Sequence, residues 1–164
     1  MKFALMYVRP ETPHPGVAKT INDNLPPTIV TMENVLRTVI PSIAPLFPFS
    51  NLYAAPDANS LAVASIAYRH FKPAIFFPLD RLREYAGDSL TRIQADMINI
   101  IGGTVANASH SAIFVCSLPS FVGILGAAER SYEEAGLATR FDDLKGEKIV
   151  FGIFEIDRNA IKTL

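Results

Sequence analysis

Length, composition and charge limit what this chain can be. Its 164 residues are 49% hydrophobic and 19% charged, which permits one domain with a sizeable core and excludes disorder as the global state. The 15 Lys and Arg residues against 16 Asp and Glu residues give a formal net charge of -1, which excludes the broad positive field of nucleic-acid and anionic-membrane binders.

The sequence opens with a nearly continuous apolar run at residues 2–8, which ends at Arg9 and a proline-rich loop. Such a run is typical of a strand buried on both faces of a parallel sheet. No small-residue cleavage pattern follows it, so we do not expect a signal peptide. Prolines and glycines interrupt two longer uncharged stretches, residues 38–56 and 97–128, and neither is expected to span a membrane.

Further strands and helices alternate along the chain. Short apolar runs predict strands at residues 52–54, 74–77, 112–117 and 148–157. Capping and breaking residues predict helices from Thr28 or Thr31 to about Ile40, from Asp57 to near Phe71, from Ser89 to the Gly102-Gly103 pair, and from Pro119 through Ala128. Residues 79–88 are predicted to form a charged loop or helical turn, and Gly136 to mark another loop.

This alternation predicts a three-layer α/β/α sandwich with a mostly parallel central sheet, in one domain over residues 1–164. The last strand follows a turn at Lys145-Gly146 and is expected to join the sheet edge in antiparallel sense. Ligands of such sheets bind beyond the carboxyl ends of the strands. Four loops are therefore expected to converge there: residues 9–16, 55–60, 78–88 and 117–120.

Arg9 is the first candidate binding residue, because a guanidinium directly after the first strand can grip a phosphate or a carboxylate. The alternative is a surface arginine paired with Glu11. Ser117, Ser120 and the free amides after Pro119 can cradle an anion at a helix N-terminus. Ordinary helix capping also explains the two serines.

Other reactive side chains give weaker signals. Glu84 is a candidate general acid, or else a solvated carboxylate beside arginines. The histidines, His14, His70 and His110, lack the spacing of metal ligands, and no glycine-rich phosphate loop follows a strand, so we expect no metal and no cofactor. The single cysteine, Cys116, excludes an internal disulfide framework, is expected to lie in the core, and favours a cytoplasmic location.

The order of four short motifs is more informative than any one of them. Strand-Arg-x-Glu-Thr, strand-Ala-Pro before a helix, Leu-x-Glu before a glycine, and strand-Ser-x-Pro follow one another along the chain. In this order the sequence resembles the histidine phosphatase superfamily. The stretch at residues 115–125 is most similar to the small phosphohistidine phosphatases and their phosphoglycerate-mutase-like relatives.

The resemblance also shows what the chain lacks. The family has an Arg-His-Gly signature after the first strand, in which the histidine is the nucleophile; here Arg9 is kept and Pro10 replaces the histidine. Asn59 stands where a second phosphate-binding arginine is expected, and Leu118 stands at the place of the second histidine. Covalent phosphoryl transfer needs a nucleophile and dense positive donors, so the resemblance implies the fold more strongly than the activity.

Three functions remain open on the sequence. The first is a catalytically degenerate histidine-phosphatase-like protein that acts as a binding or regulatory module, with at most a weak pocket for phosphate or another small anion at Arg9, Asn59, Ser117 and Ser120. The second is an active phosphatase that acts on a phosphomonoester or phosphohistidine, with His14 or an unrecognised group as nucleophile and Glu84 as acid.

The third is a structural or oligomeric interaction protein, which a mean hydropathy of +0.24 and the apolar, proline-rich residues 40–49 favour. A protein partner and a homo-oligomer are the expected partners alongside a small anion. Nucleic acid and membrane are not expected.

Overall fold

The computed structural model describes residues 1–9, 37, 49–83, 87–106, 111–130, 133–147, 149–157 and 160–164. The predicted helix that ends near Ile40, the apolar segment at 40–48, and the candidate residues His14 and Glu84 lie outside the described residues. Six strands are described: β1 (Lys2–Val8), β2 (Phe49–Ala54), β3 (Ile75–Pro78), β4 (Ser111–Val115), β5 (Ile149–Asp157) and β6 (Ala160–Thr163).

These strands form one sheet in the order β3-β2-β4-β1-β5-β6. The first four are mutually parallel, and β1 lies beside β4 with Met6 opposite Val115. β5 runs antiparallel to β1, and β6 runs antiparallel to β5. The mostly parallel sheet with an antiparallel side is therefore confirmed. β6, which the sequence did not predict, is the outermost strand on that side.

Helices cover both faces of the sheet. The described residues contain α1 (Ala58–Phe71), α2 (Leu90–Ala106), α3 (Leu118–Ala128), α4 (Glu134–Leu144) and a 3₁₀ turn (Asp80–Leu82). The buried side chains divide into two clusters, one between the sheet and α1 and the other between the sheet and α2, α3 and α4. The α/β/α layering follows from this division.

β1 lies at the centre because both of its faces are apolar. Six of its seven residues are buried, and they alternate between the two clusters, with Phe3 and Leu5 on the α2–α4 side and Ala4 and Met6 on the α1 side. Phe3 packs edge-on against Phe114 of β4 at 5.6 Å between ring centroids and stacks on Phe154 of β5 at 5.4 Å. These aromatic contacts tie the parallel and antiparallel parts of the sheet together.

Two sequence-based boundaries were wrong. α2 continues through Gly102 and Gly103 to Ala106, because Val105 extends the buried stripe of the helix and its burial outweighs the low helix propensity of glycine. Gly136 lies inside α4 and does not mark a loop, because Leu137 is fully buried against the sheet side of that helix. None of the described helices is long and apolar enough to cross a bilayer.

Candidate functional site

The carboxyl ends of the parallel strands lie side by side because the hydrogen-bond ladder continues one residue past them. The Cys116 amide donates to the Met6 carbonyl at 3.0 Å, and the Ala55 amide donates to the Val115 carbonyl at 2.8 Å. These two bonds bring the segment after β2 next to the segment after β4. Each segment leads directly into a helix whose N-terminus faces the same edge of the sheet.

A cleft of about 370 Å³ opens at this edge. Its described lining combines one acid, one amide, two hydroxyls, one amine and three apolar side chains: Tyr7, Asp57, Asn59, Ser117, Leu118, Pro119, Phe141 and Lys145. The predicted loops at 55–60 and 117–120 therefore converge as expected. The described part of the loop at 78–88 instead borders a separate charged groove against α2, of about 490 Å³.

Asp57 caps α1 as its sequence position predicted. Its Oδ1 accepts a hydrogen bond from the Ser60 amide at 2.8 Å, while its Oδ2 is buried and has no hydrogen-bond partner among the described residues. Burial raises the pKa of the neighbouring Cys116 thiol far above its ordinary range, and the negative charge of Asp57 adds to the shift. The thiol is thus kept protonated and out of solvent, as expected of a core cysteine.

Asn59 connects α1 to β1. Its Nδ2 donates a hydrogen bond of 2.7 Å to the carbonyl oxygen of Val8, the last residue of β1. The side chain lines the cleft and is half-buried, but this donor is committed to the backbone. Asn59 therefore holds the first turn of α1 against the sheet.

The two predicted serines occupy different environments. Ser117 is the N-cap of α3 and lines the cleft, but its side chain makes no capping hydrogen bond. Its Oγ lies 3.3 Å from the Oγ of Ser120, which is fully buried. Ser120 is not among the described residues that line the cleft. Leu118, beside them, is buried and supplies an apolar wall.

The cations near the cleft are engaged with other groups. Arg9 follows β1 as predicted, is exposed, and donates from Nη1 to the Gly146 carbonyl at 3.0 Å. Lys145 lines the cleft, and its Nζ lies 2.7 Å from Asp142 Oδ1. Among the described lining residues there is no arginine or histidine. The described residues also hold no cluster of three or more His, Cys, Asp or Glu that could bind a metal.

Phe141 and Lys145 were missed by the sequence analysis because α4 was not predicted. The signal was present: Leu137, Phe141 and Leu144 recur at the i, i+4, i+7 spacing of a helix with one apolar face. Gly136 obscures this signal, because glycine often marks the end of a helix or a loop. Helix α4 closes one side of the cleft.

Comparisons with solved structures decide what this architecture is. A phosphoserine phosphatase from Entamoeba histolytica, solved with 3-phosphoglyceric acid, matches with a TM-score of 0.68 at 11% identity, over 99% of this chain and 94% of that chain. A phosphoglycerate mutase from Plasmodium falciparum matches with a TM-score of 0.65 at 11% identity, over 99% and 89% of the two chains. The chain has the fold of the histidine phosphatase superfamily.

SixA of Agrobacterium tumefaciens, described as a phosphohistidine phosphatase, is a third such neighbour, with a TM-score of 0.61 at 12% identity over 99% of this chain and 95% of that chain. A scan against protein-family models and a search of curated protein sequences gave no match. The resemblance drawn from the motif order is confirmed at the level of the fold. Identities this low establish the fold and not the activity.

Proposed function

We propose that this chain is a catalytically degenerate histidine-phosphatase-like protein that serves as a binding or regulatory module. The observation that supports this proposal is the charge of the cleft. Its described lining contains the carboxylate of Asp57 and the amine of Lys145, and the amine is paired with Asp142. The described lining therefore offers a phosphoryl group no excess of positive charge.

Phosphoryl transfer needs the opposite arrangement. The transferring group carries charge on three oxygens, and enzymes neutralise it with several arginines, lysines or metal ions fixed around it. Here Asn59 donates to the Val8 carbonyl and Arg9 donates to the Gly146 carbonyl. Both groups at the family's clamp positions are thus held by the backbone, and Leu118 provides neither a charge nor a nucleophile.

The cleft keeps the means to bind a small polar ligand weakly. Ser117 and Leu118, at the start of α3, line it, and the exposed Arg9 retains guanidinium donors beyond the one bound to Gly146. A few charge-assisted hydrogen bonds of about 1.5 to 3 kcal/mol each, less the cost of association, support affinities for phosphate on the order of millimolar. The buried, free Cys116 fits a reducing compartment, and a cytoplasmic location belongs to the same proposal.

Hydrolysis of a generic aryl phosphate tests the degenerate assignment. We expect the purified protein to release phosphate no faster than buffer, while a working member of the superfamily assayed in parallel turns the substrate over. Turnover that His14→Ala abolishes would overturn the proposal and establish an active phosphatase with an unusual nucleophile.

Binding is tested separately by titration with inorganic phosphate at low ionic strength, followed through amide chemical shifts. We expect millimolar binding with shifts at Ser117–Ser120, weakened in Arg9→Ala. Identical curves for the two proteins would remove the anion pocket and leave a protein partner as the ligand of the module.

A further inference from the structure

Half of the described residues that line the cleft carry an aromatic ring or an apolar side chain: Tyr7, Leu118, Pro119 and Phe141. Tyr7 and Leu118 are buried, at 9% and 5% exposed, and Phe141 is half-buried and packs against the core. Sites for small organic molecules have such walls, together with a few polar groups that fix the orientation of the ligand. The cleft can therefore hold an apolar body as well as a charged group.

Lys145 supplies the one positive charge among the described residues that line the cleft. Its Nζ lies 2.7 Å from Asp142 Oδ1, but the two side chains are 61% and 66% exposed. An exposed ion pair of this kind contributes little to stability, so the ammonium group can turn from Asp142 to an anion in the cleft. The ammonium group also has three N–H donors, and Asp142 accepts one of them.

The hydrogen bond between Arg9 and Gly146 keeps Lys145 at the cleft. Arg9 Nη1 donates to the carbonyl of Gly146, the residue after Lys145, and so connects the end of α4 to the end of β1. Arg9 itself is not among the described residues that line the cleft. Arg9 is therefore a positioning residue for Lys145, and Lys145 is the cation that a ligand in the cleft meets.

Asp57 limits the charge that a ligand can carry. Its Oδ1 accepts a hydrogen bond from the Ser60 amide at 2.8 Å and its Oδ2 is buried, so the carboxylate is poorly placed to bind a cation directly. It still contributes a negative charge to the lining. One ammonium group neutralises a monoanion, whereas a dianionic phosphate ester leaves uncompensated negative charge beside Asp57.

We propose that the cleft binds a monocarboxylate with an apolar body, such as an aromatic acid. The carboxylate lies on Lys145, and the body packs against Tyr7, Leu118 and Phe141. Asp142 competes with the ligand for Lys145 and lowers the affinity. This inference rests on the proposed binding function and names the ligand class of the same cleft.

Titrations of the wild-type chain with four probes at a pH of about 7.5, followed through amide chemical shifts, test the ligand class. Benzoate has a ring and one negative charge, phenyl phosphate has the ring and two negative charges, acetate lacks the ring, and benzylamine carries a positive charge instead. We expect benzoate to bind with a dissociation constant on the order of a millimolar and to shift the amides of Tyr7, Leu118 and Phe141. Acetate should bind about tenfold more weakly and phenyl phosphate at least about threefold more weakly, and benzylamine should give no saturable shifts.

Two substitutions with opposite expected effects test the role of Lys145. Lys145→Met removes the charge and keeps the length of the side chain, so it should weaken benzoate binding by about three- to tenfold, whereas Asp142→Asn releases the ammonium group and should strengthen binding by about two- to fivefold. Lys162→Met is the matched control and should leave the affinity unchanged. Lys162 Nζ also pairs with an aspartate, Asp157, at 3.0 Å, but it lies at the opposite edge of the sheet, beside the amino end of β1. The substituted side chains are exposed, so the variants are expected to fold, which circular dichroism verifies.

Tighter binding of benzylamine or phenyl phosphate than of benzoate would overturn the monocarboxylate class. Equal affinities of wild type, Lys145→Met and Asp142→Asn for benzoate would overturn the role of Lys145. Failure of the proposed function has a separate readout, since hydrolysis of phenyl phosphate would overturn the degenerate assignment whichever probe binds more tightly. If benzoate does not bind, the ligand class is wrong, and the titration with inorganic phosphate then shows whether the anion pocket itself remains.

Discussion

Asn59 connects α1 to β1, so we expect an acidic residue at this position to destabilise the protein, although an acidic residue in the first turn of a helix ordinarily stabilises it. Asn59 lies in the first turn of α1, where an acidic residue normally stabilises a helix by about 0.3 to 1 kcal/mol through the helix dipole. In this structure, however, its Nδ2 donates to the Val8 carbonyl at 2.7 Å in a half-buried position. Asn59→Asp replaces that donor with a carboxylate that faces a carbonyl oxygen.

The loss of the hydrogen bond costs about 1 kcal/mol, and leaving the carbonyl unsatisfied costs a further 1 to 3 kcal/mol or so. After the dipole contribution is subtracted, we expect Asn59→Asp to lower the free energy of unfolding by roughly 1 to 3 kcal/mol at neutral pH. Asn59→Ala also removes the donor and leaves the Val8 carbonyl unsatisfied, so it should lower the free energy of unfolding by a comparable amount, roughly 1 to 3 kcal/mol, but without the pH dependence of a carboxyl group.

The control is Ala58→Asp, which adds an acid to the same helical turn at an exposed position. It receives the dipole contribution without facing Val8, so we expect its stability to lie within about 0.5 kcal/mol of wild type. Urea unfolding followed by circular dichroism measures all three variants.

The pH dependence supplies a second readout. The environment of the introduced carboxyl at position 59 disfavours its charged form and raises its folded pKa above the unfolded value of about 3.9. The deficit of Asn59→Asp is therefore present at neutral pH and shrinks as the pH falls through that raised pKa, since the protonated group can donate to Val8 again. Equal stability of Asn59→Asp and Ala58→Asp at neutral pH would refute the connection between α1 and β1.

Two further predictions concern packing and the buried thiol. A Cβ at Gly123 of α3 would lie 3.0 Å from Ile93 Cγ2 and 3.3 Å from the backbone nitrogen of Gln94, so Gly123→Ala should destabilise the fold by about 1 to 3 kcal/mol. At Gly103 nothing lies within 4 Å of the added Cβ, so Gly103→Ala is the control and should stabilise the fold by up to about 1 kcal/mol. Equal effects of the two substitutions in thermal unfolding would contradict the close approach of α2 and α3. Burial raises the pKa of the Cys116 thiol, so the unfolded chain loses the thiol proton at a lower pH than the folded chain does. Above a pH of about 8.5 the free energy of unfolding of wild type should therefore fall by up to about 1.4 kcal/mol per pH unit more than that of Cys116→Ala. If chemical unfolding gives the two proteins the same dependence on pH above that value, the thiol is not buried.

The sequence was informative where a segment is apolar on both faces or carries a clear cap. β1 is a central strand because both parities of its residues are apolar, and Asp57 accepts the Ser60 amide as an N-cap does. The sequence was misleading at Gly136, because a glycine often marks a loop, whereas the helical spacing of the apolar residues that follow it indicates α4. β6 was not predicted because only Ile161 of its four residues is buried, which leaves too short a pattern to distinguish a strand from a loop.

The site was less predictable than the fold, because its character depends on contacts between residues far apart in the chain. The sequence identified Arg9, but its bond to the Gly146 carbonyl joins residues 137 positions apart. Asn59 was expected to face a ligand, and its donor is committed to Val8, 51 positions away. Lys145 reaches the cleft through α4, whose position no local pattern gives.

The most direct test of the central claim is a search for the covalent intermediate. The chain is mixed with an excess of aryl phosphate, quenched, and examined by intact mass spectrometry and by phosphorus NMR under conditions that preserve phosphohistidine. We expect no protein-bound phosphoryl group, because the described lining of the cleft holds the Asp57 carboxylate and the apolar Leu118 and no histidine or arginine. A phosphoryl group on His14, His70 or His110 that forms within one turnover and disappears as phosphate is released would contradict it.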